Sequence, residues 1–315
     1  DYRILFANEQ IKNLPGFDMV ESGGSMSLIR NSSVLSLIET TMSNKNTIQK
    51  EINSSDLILS CFSSYFELED GNGVIVSLQN ITRMKNLERV RYEFVSNVTH
   101  DLNTPLKSIK VFIETLKEGA IRDTVTAMKF LNIIEIESER LGNLINDILT
   151  LSSIENDTDF YPRESVNVRS IANDALILLS HSISEKDITV ANNLDSSVMI
   201  SADSDRLKQL FINLVDNSIK YNVNGGSVEL FTVTNENFVE IHVKDSGIGI
   251  DENHLNRLFE RFYRVDKGRS REMGGTGLGL SIVKHIAMLY DGSVSVISTP
   301  GEGSDFCITF PIVLA

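Results

Sequence analysis

Long apolar runs are missing from this sequence. None approaches the ~18–20 consecutive apolar residues that a membrane-spanning helix needs. The opening DYRILFANEQ mixes charge with apolar side chains, so it does not read as a secretion signal. Cysteine is scarce. Cys61 and Cys307 are the two in 315 residues, too few for a disulfide framework and without metal-ligand spacing. That scarcity fits a reducing compartment. Positive charge is also short: 29 Lys and Arg stand against 43 Asp and Glu, a net charge of −14. Phosphate backbones and anionic lipid repel such a chain, which argues against sequence-independent nucleic-acid binding. Any anionic ligand must be held by a local site that overcomes the overall field. There is no internal repeat and no low-complexity segment. With 41% hydrophobic and 23% charged residues, the composition is that of a globular chain. The length suits about two domains, or three small ones.

Three stretches differ in pattern. Residues 1–80 are mixed. RILFA reads as a strand, Leu14-Pro15-Gly16 as a break, and SVLSLIETTM as a short helix. CFSSYFELED and GVIVSLQNI read as strands joined by Asp70-Gly71-Asn72-Gly73, a hairpin signal. This is a small α+β module. Residues 81–156 are free of Gly/Pro clusters and strongly helical in period. Leu102, Leu106, Ile109, Ile113 and Leu116 step by four and three, a heptad seam. After a break near Glu118-Gly119-Ala120, Ile134, Leu141 and Ile148 recur, with Leu144, Ile145 and Leu151 beside them. Two long amphipathic helices make an antiparallel hairpin, and so wide an apolar seam calls for dimerisation into a four-helix bundle. Residues 157–315 alternate strands and helices, which predicts an α/β sandwich with helices on one face.

His100 lies two residues off the seam, or ~200° around the helix, so its ring should face solvent. Thr104 and Lys107 share its stripe, and Pro105 should kink the helix below it. A lone surface histidine ordinarily does nothing, yet a neutral imidazole beside the carboxylate of Asp101 is a competent nucleophile with a base at hand. Asn213 and Asn217 stand one turn apart, with Lys220 and Tyr221 following. Stacked amides suit a hydrated Mg²⁺ that carries phosphate oxygens, or are simply a solvated face. Asp245-Ser246-Gly247-Ile248-Gly249 closes a strand. Its carboxylate suits an exocyclic amine and its glycines a flat ring, though such a segment is also an ordinary turn. Gly274-Gly275-Thr276-Gly277-Leu278-Gly279-Leu280 opens a helix and presents an anion site. Between these glycine motifs, Arg261, Arg264, Lys267, Arg269 and Arg271 form a cationic cluster that Phe259 and Phe262 would anchor.

Taken in order, NVTHDLNTPL, NLVDNSIKY, DSGIGI, FERFYR and GTGLGL resemble the H, N, G1, F and G2 boxes of the sensor histidine kinases of two-component signalling. SIKVFIETLKEGA and FLNIIEIESERLGNLINDILTLSSIE are most similar to the phosphate-starvation sensors, and next to the cell-wall sensor kinases. The first 80 residues resemble a PAS domain without its opening strand, and LQNITRMKNLERVRYEF resembles the exit of such a domain into a signalling helix.

The resemblance implies a PAS-like module over 1–80, a signalling helix and phosphotransfer hairpin over 81–156, and a catalytic ATP-binding domain of the gyrase/chaperone/histidine-kinase type over 157–315. It implies that His100 takes the γ-phosphoryl group of ATP, that Asp101 orients it and accepts its proton, and that Thr104 positions water for a phosphatase reaction. Asn217 would bind Mg²⁺, with Asn213 close by. Lys220, Tyr221, Tyr263 and Arg264 would contact the nucleotide. Asp245 would bond the adenine amine, with Gly247, Gly249 and Ile250 lining the base. Gly275, Gly277 and Gly279 would hinge a lid that closes over the phosphates, and Thr276, Leu278 and Leu280 beside them would also bind the nucleotide. The implied partners are a second copy and the receiver domain of a response regulator. The implied location is the cytoplasmic portion of a protein anchored in the bacterial cell membrane by a segment outside this chain. Asp101 stands where the family usually has Glu, Asn103 where it has Arg or Lys, and Lys107 where it has a small residue or Thr. A kinase-impaired sensory phosphatase or scaffold is one alternative. A non-kinase ATPase of the same nucleotide fold is another, although Asn213 occupies the position of that group's Glu base, and an amide is no base.

Overall fold

The computed structural model describes residues 2–54, 56–69, 71–156, 163–266 and 275–312. The chain divides into two compact units, Asp1–Ser96 and Asn97–Ala315.

In the first unit, Asn31 caps helix α1 (Ser32–Asn44) by accepting from the Val34 amide at 3.2 Å. Val34, Leu37, Ile38 and Thr41 recur on one helical face and are buried. Val34, Leu37 and Ile38 pack with Phe17, Leu59 and Cys61 over an antiparallel sheet of β1 (Ile48–Ser54), β2 (Leu57–Leu68) and β3 (Gly71–Asn80), in that order. Two expectations change here. RILFA is no strand: Arg3 makes an isolated bridge to Ser25, and Leu5 and Phe6 stay exposed. The hairpin also turns earlier than expected. Pairing runs to Leu68 opposite Gly71, so Gly71-Asn72-Gly73 belongs to β3. Gly73 serves close approach instead, because a Cβ there would lie 2.5 Å from the Phe66 ring. Asp70 lies outside the described residues.

Helix α2 (Thr82–Lys117) runs through Pro105 without interruption. In the second unit its later turns pair with α3 (Thr124–Asn156) across a turn where Gly119 takes φ 131°. Phe112 and Phe130 meet with ring centroids 5.0 Å apart. Leu116, Leu144 and Leu151 are buried, whereas Leu106, Ile113 and Ile145 of the seam remain exposed in one chain.

The rest is the expected sandwich. After β4 (Glu164–Asn167), α4 (Val168–Leu178) and α5 (Ser180–Glu185) come β5 (Thr189–Asn193), β6 (Met199–Ala202) and α6 (Ser204–Lys220). Then follow β7 (Ser227–Thr234), β8 (Phe238–Asp245), the short α7 (Glu252–Leu255), α8 (Gly279–Leu289), β9 (Ser293–Thr299) and β10 (Gly303–Pro311). The main sheet has the order β5-β7-β8-β10-β9, with β5 and β7 parallel; β4 and β6 pair separately. Leu207, Leu210, Phe211 and Leu214 of α6 are buried together with Ile282, Val283 and Ile286 of α8. They cover the inward side chains of β8 and β10, such as Ile241, Val243 and Ile308.

Candidate functional site

Helix α6 carries its apolar stripe into the core and turns the next stripe toward a cavity of about 670 Å³ lined by Asn213, Asn217, Lys220 and Tyr221. That volume is ordinary for a small-molecule site. Lys220 is held by Asp216, one turn back on the same helix, at 2.7 Å. The Asn213 amide nitrogen is buried with no hydrogen-bond partner among the described residues. An unpartnered buried amide on a cavity wall is a costly arrangement that a polar ligand would relieve. Amide oxygens are also hard donors suited to Mg²⁺, so the residues present fit that ion.

The floor is the end of β8. Asp245 is 7% exposed, and its Oδ1 accepts from the amides of Gly247 at 2.8 Å and Ser304 at 3.2 Å. Burial pushes its carboxyl above the usual Asp range, while those amides pull it back. Gly249 takes φ 66° against the Thr299 carbonyl, where no side chain would fit. Gly249 and Ile250 line the cavity. Gly247 is not among the lining residues; it packs under the Tyr221 carbonyl, which a Cβ would approach to 2.5 Å.

The opposite wall is the start of α8. Gly275, Thr276, Gly277, Gly279 and Leu280 line it, whereas Leu278 is fully buried behind it. Gly277 takes φ 74°, and its carbonyl accepts from the Phe262 amide at 2.8 Å. Tyr263 and Arg264 complete that side. The Tyr263 hydroxyl lies 2.7 Å from His254 Nδ1. Lys267, Arg269, Arg271 and Gly274 lie outside the described residues.

His100 projects from α2 with its side chain 68% exposed, as its position off the seam requires. Its Nδ1 lies 2.9 Å from Asp101 Oδ1. A carboxylate only accepts, so Nδ1 carries the proton, and in the neutral ring the lone pair is on Nε2. Asp101 Oδ2 accepts from Arg264 at 3.2 Å. The chain His100–Asp101–Arg264 therefore runs from the exposed imidazole to the cavity wall. The Thr104 hydroxyl donates to the His100 carbonyl at 3.0 Å.

Helix α3 contributes residues that sequence reading missed. Asn143, Asn146 and Asp147 also line the cavity, and Asp147 accepts from the Thr276 hydroxyl at 2.6 Å. Burial raises the Asp147 carboxyl, against the opposing pull of Thr276 and Lys220. Their spacing at i, i+3 and i+4, which puts three polar residues on one face of α3, was the available signal. Lower on α3, Glu155 accepts from Arg261 and lies 3.3 Å from His285 Nε2.

A family model described as the His Kinase A phospho-acceptor domain matches residues 90–157. One described as the histidine kinase-, DNA gyrase B- and HSP90-like ATPase matches residues 202–314. Sensor protein kinase WalK of Staphylococcus aureus is 37% identical over 290 residues, 89% of this chain and 69% of that protein. Against WalK of strain JH9 the identity is the same, but the chain spans 47% of the relative's length. These relatives are cell-wall sensor kinases, the second of the two subgroups expected. Among solved structures, full-length ShkA in complex with AMPPNP is similar with a TM-score of 0.52 and 26% identity, over 60% of this chain and 39% of that one. Histidine kinase ThkA in complex with the response regulator protein TrrA shares the fold. Its TM-score is 0.57 at 22% identity, over 99% of this chain and 93% of that one.

Proposed function

The chain belongs to the sensor histidine kinases of two-component signalling, and from that premise we propose that His100 is the group that ATP phosphorylates. The observation that carries this reading is the His100–Asp101 pair at 2.9 Å on an exposed stripe, tied through Arg264 to the cavity wall. In the step, Nε2 forms a bond to the γ-phosphorus while the bond from that phosphorus to the bridging oxygen breaks, and ADP departs. The charge that grows on the imidazole is met by Asp101, which accepts the Nδ1 proton. Phosphoryl transfer is mostly positioning and charge stabilisation. Asp245 would hold the adenine amine, Tyr263 and Lys220 the remainder of the nucleotide, and the first amides of α8 the phosphates. Asn217, with Asn213 beside it, would hold Mg²⁺, which supplies charge neutralisation for the phosphates.

The phosphoryl group would then pass to an aspartate of a response-regulator receiver domain, with Thr104 on the adjoining turn for the reverse, hydrolytic reaction. The exposed Leu106, Ile113 and Ile145 support a second copy packing along the hairpin. A PAS-like role for 1–80 rests on its antiparallel sheet and helix, and the division at 81–156 and 157–315 on the motif order. Among the described residues no helix is long and apolar enough to cross a membrane; attachment to the bacterial membrane would belong to sequence outside these 315 residues. The test is incubation with γ-labelled ATP and Mg²⁺. Label that is labile to acid, stable to alkali and lost in His100→Gln supports the reading. Label that survives the substitution refutes it.

A further inference from the structure

The main sheet turns one face to the helices and the other outward. On the outward face, away from the nucleotide cavity, polar residues meet across β8 and β10. His242 stands opposite Cys307, and Glu240 opposite Thr309. Glu240, His242 and Cys307 offer ligand atoms that all lie within 4.8 Å of one another. Asp305, on the same face of β10, holds the imidazole: His242 Nδ1 is 3.0 Å and 3.2 Å from its two oxygens. Phe231 stacks on the ring with centroids 4.5 Å apart and planes 5° apart. The ring is thus fixed on an edge and a face, with its Nδ1 proton committed to a carboxylate.

Nε2 is left with its lone pair. It is buried without a hydrogen-bond partner among the described residues and faces Glu240 Oε2, another acceptor, at 3.8 Å. Two acceptors opposed in a half-buried site repel unless a cation lies between them. We propose that Glu240, His242 and Cys307 bind a divalent cation of the zinc class, with water as a fourth ligand. A thiolate, an imidazole and a carboxylate together favour such a metal over Mg²⁺ or Ca²⁺. A carboxylate on the far ring nitrogen is the usual support of a metal-bound histidine. Zinc–ligand distances of ~2.0–2.3 Å require the three ligand atoms to close up, and Glu240, with a side chain 39% exposed, has room to swing inward. The bound ion would tie β8 to β10, the strands whose Asp245 and Ser304 meet at the floor of the nucleotide cavity.

The full chain is titrated with Co²⁺ as a spectroscopic substitute and then challenged with Zn²⁺. The expected result is a near-ultraviolet thiolate-to-cobalt absorption band that saturates at one equivalent and is displaced by Zn²⁺. Cys307→Ser and His242→Ala each remove the band, and Cys61→Ala leaves it. Asp305→Asn weakens cobalt binding ~10–100-fold. Unchanged circular dichroism and ATP-analogue binding in Cys307→Ser show that the loss is not unfolding. A wild-type chain without the band, or a band that persists in Cys307→Ser, overturns the site.

Discussion

Replacing Asp101 by Asn tests the reaction geometry through a competition for one oxygen. Asp101 uses both carboxylate oxygens: Oδ1 for His100 Nδ1 at 2.9 Å and Oδ2 for Arg264 at 3.2 Å. Asparagine has one oxygen. A guanidinium cannot give up its proton and has no acceptor, so Arg264 claims that oxygen. The amide NH₂ then faces Nδ1 and draws its lone pair. The ring's proton moves to Nε2 and blocks the attacking nitrogen. Turning the amide round restores the tautomer but breaks the Arg264 bond. That bond is 9% exposed on the arginine side and 15% on the aspartate side, so water replaces it poorly. Hydrogen bonds to charged groups are worth about 1.5–3 kcal/mol, or ~10–100-fold at 1.4 kcal/mol per decade. Loss of the carboxylate as base adds ~10²–10⁴-fold. Asp101→Asn should therefore lower the autophosphorylation rate at least ~100-fold while ATP-analogue affinity stays within a few-fold. Quenched-flow labelling on wild type, Asp101→Asn, Arg264→Ala and the double variant isolates the competition. Without Arg264 the asparagine oxygen is free for Nδ1–H, so Asp101→Asn should cost about tenfold less in that background. A wild-type rate for Asp101→Asn, or the same factor in both backgrounds, would refute the reasoning.

Asp245→Asn should raise the melting temperature at pH 7 while ATP-analogue affinity falls more than tenfold. Burial raises the Asp245 carboxyl in the folded state, so the folded chain holds more protons than the unfolded one over the window that opens near the ordinary Asp value of ~3.9. The contribution is fully present below that value and is lost as pH rises through the folded one. At pH 7 the ionised group bears the burial cost that asparagine removes, and melts at pH 4.5 and 7 should show the difference between the two proteins shrinking in acid. Thr104→Ala removes the hydroxyl bond to the His100 carbonyl, about 1 kcal/mol. It should leave autophosphorylation within a few-fold and strongly reduce receiver dephosphorylation; parallel losses on one preparation would make Thr104 a helix-shaping residue. Gly277→Ala places a Cβ 3.0 Å from the Phe262 backbone at φ 74°, a strain of about 1–2 kcal/mol. Calorimetry should show weakened nucleotide binding with circular dichroism unchanged, and wild-type affinity would remove Gly277 from the lid hinge.

Local periodicity and end chemistry were legible in the residues alone. The heptad steps of α2 put His100 off the seam, and it is exposed. The apolar stripe of α6 left Asn213 and Asn217 on the cavity side. Asp245 and the glycines after it closed β8 as a strand end with one buried carboxylate. Each of these follows from the repeat of one element, which needs no knowledge of its neighbours. What failed or was missed depends on a neighbour. RILFA has the composition of a strand but finds only the turn at Gly23–Met26 beside it, with one isolated bridge from Arg3 to Ser25. Gly73 looked like a turn residue and is a strand position beneath Phe66. Asp147 reads as one of many polar residues on an amphipathic helix until α3 lies against α8 and Thr276 reaches it. Arg264 reads as a phosphate contact, and the packed structure gives it Asp101 as well. Glu240 and His242 share a face by simple alternation, but Cys307 joins them only because β10 inserts between β8 and β9 in the sheet. Strand order and register of distant segments are set by the packing of the whole domain, and no local pattern encodes which side chains they bring together.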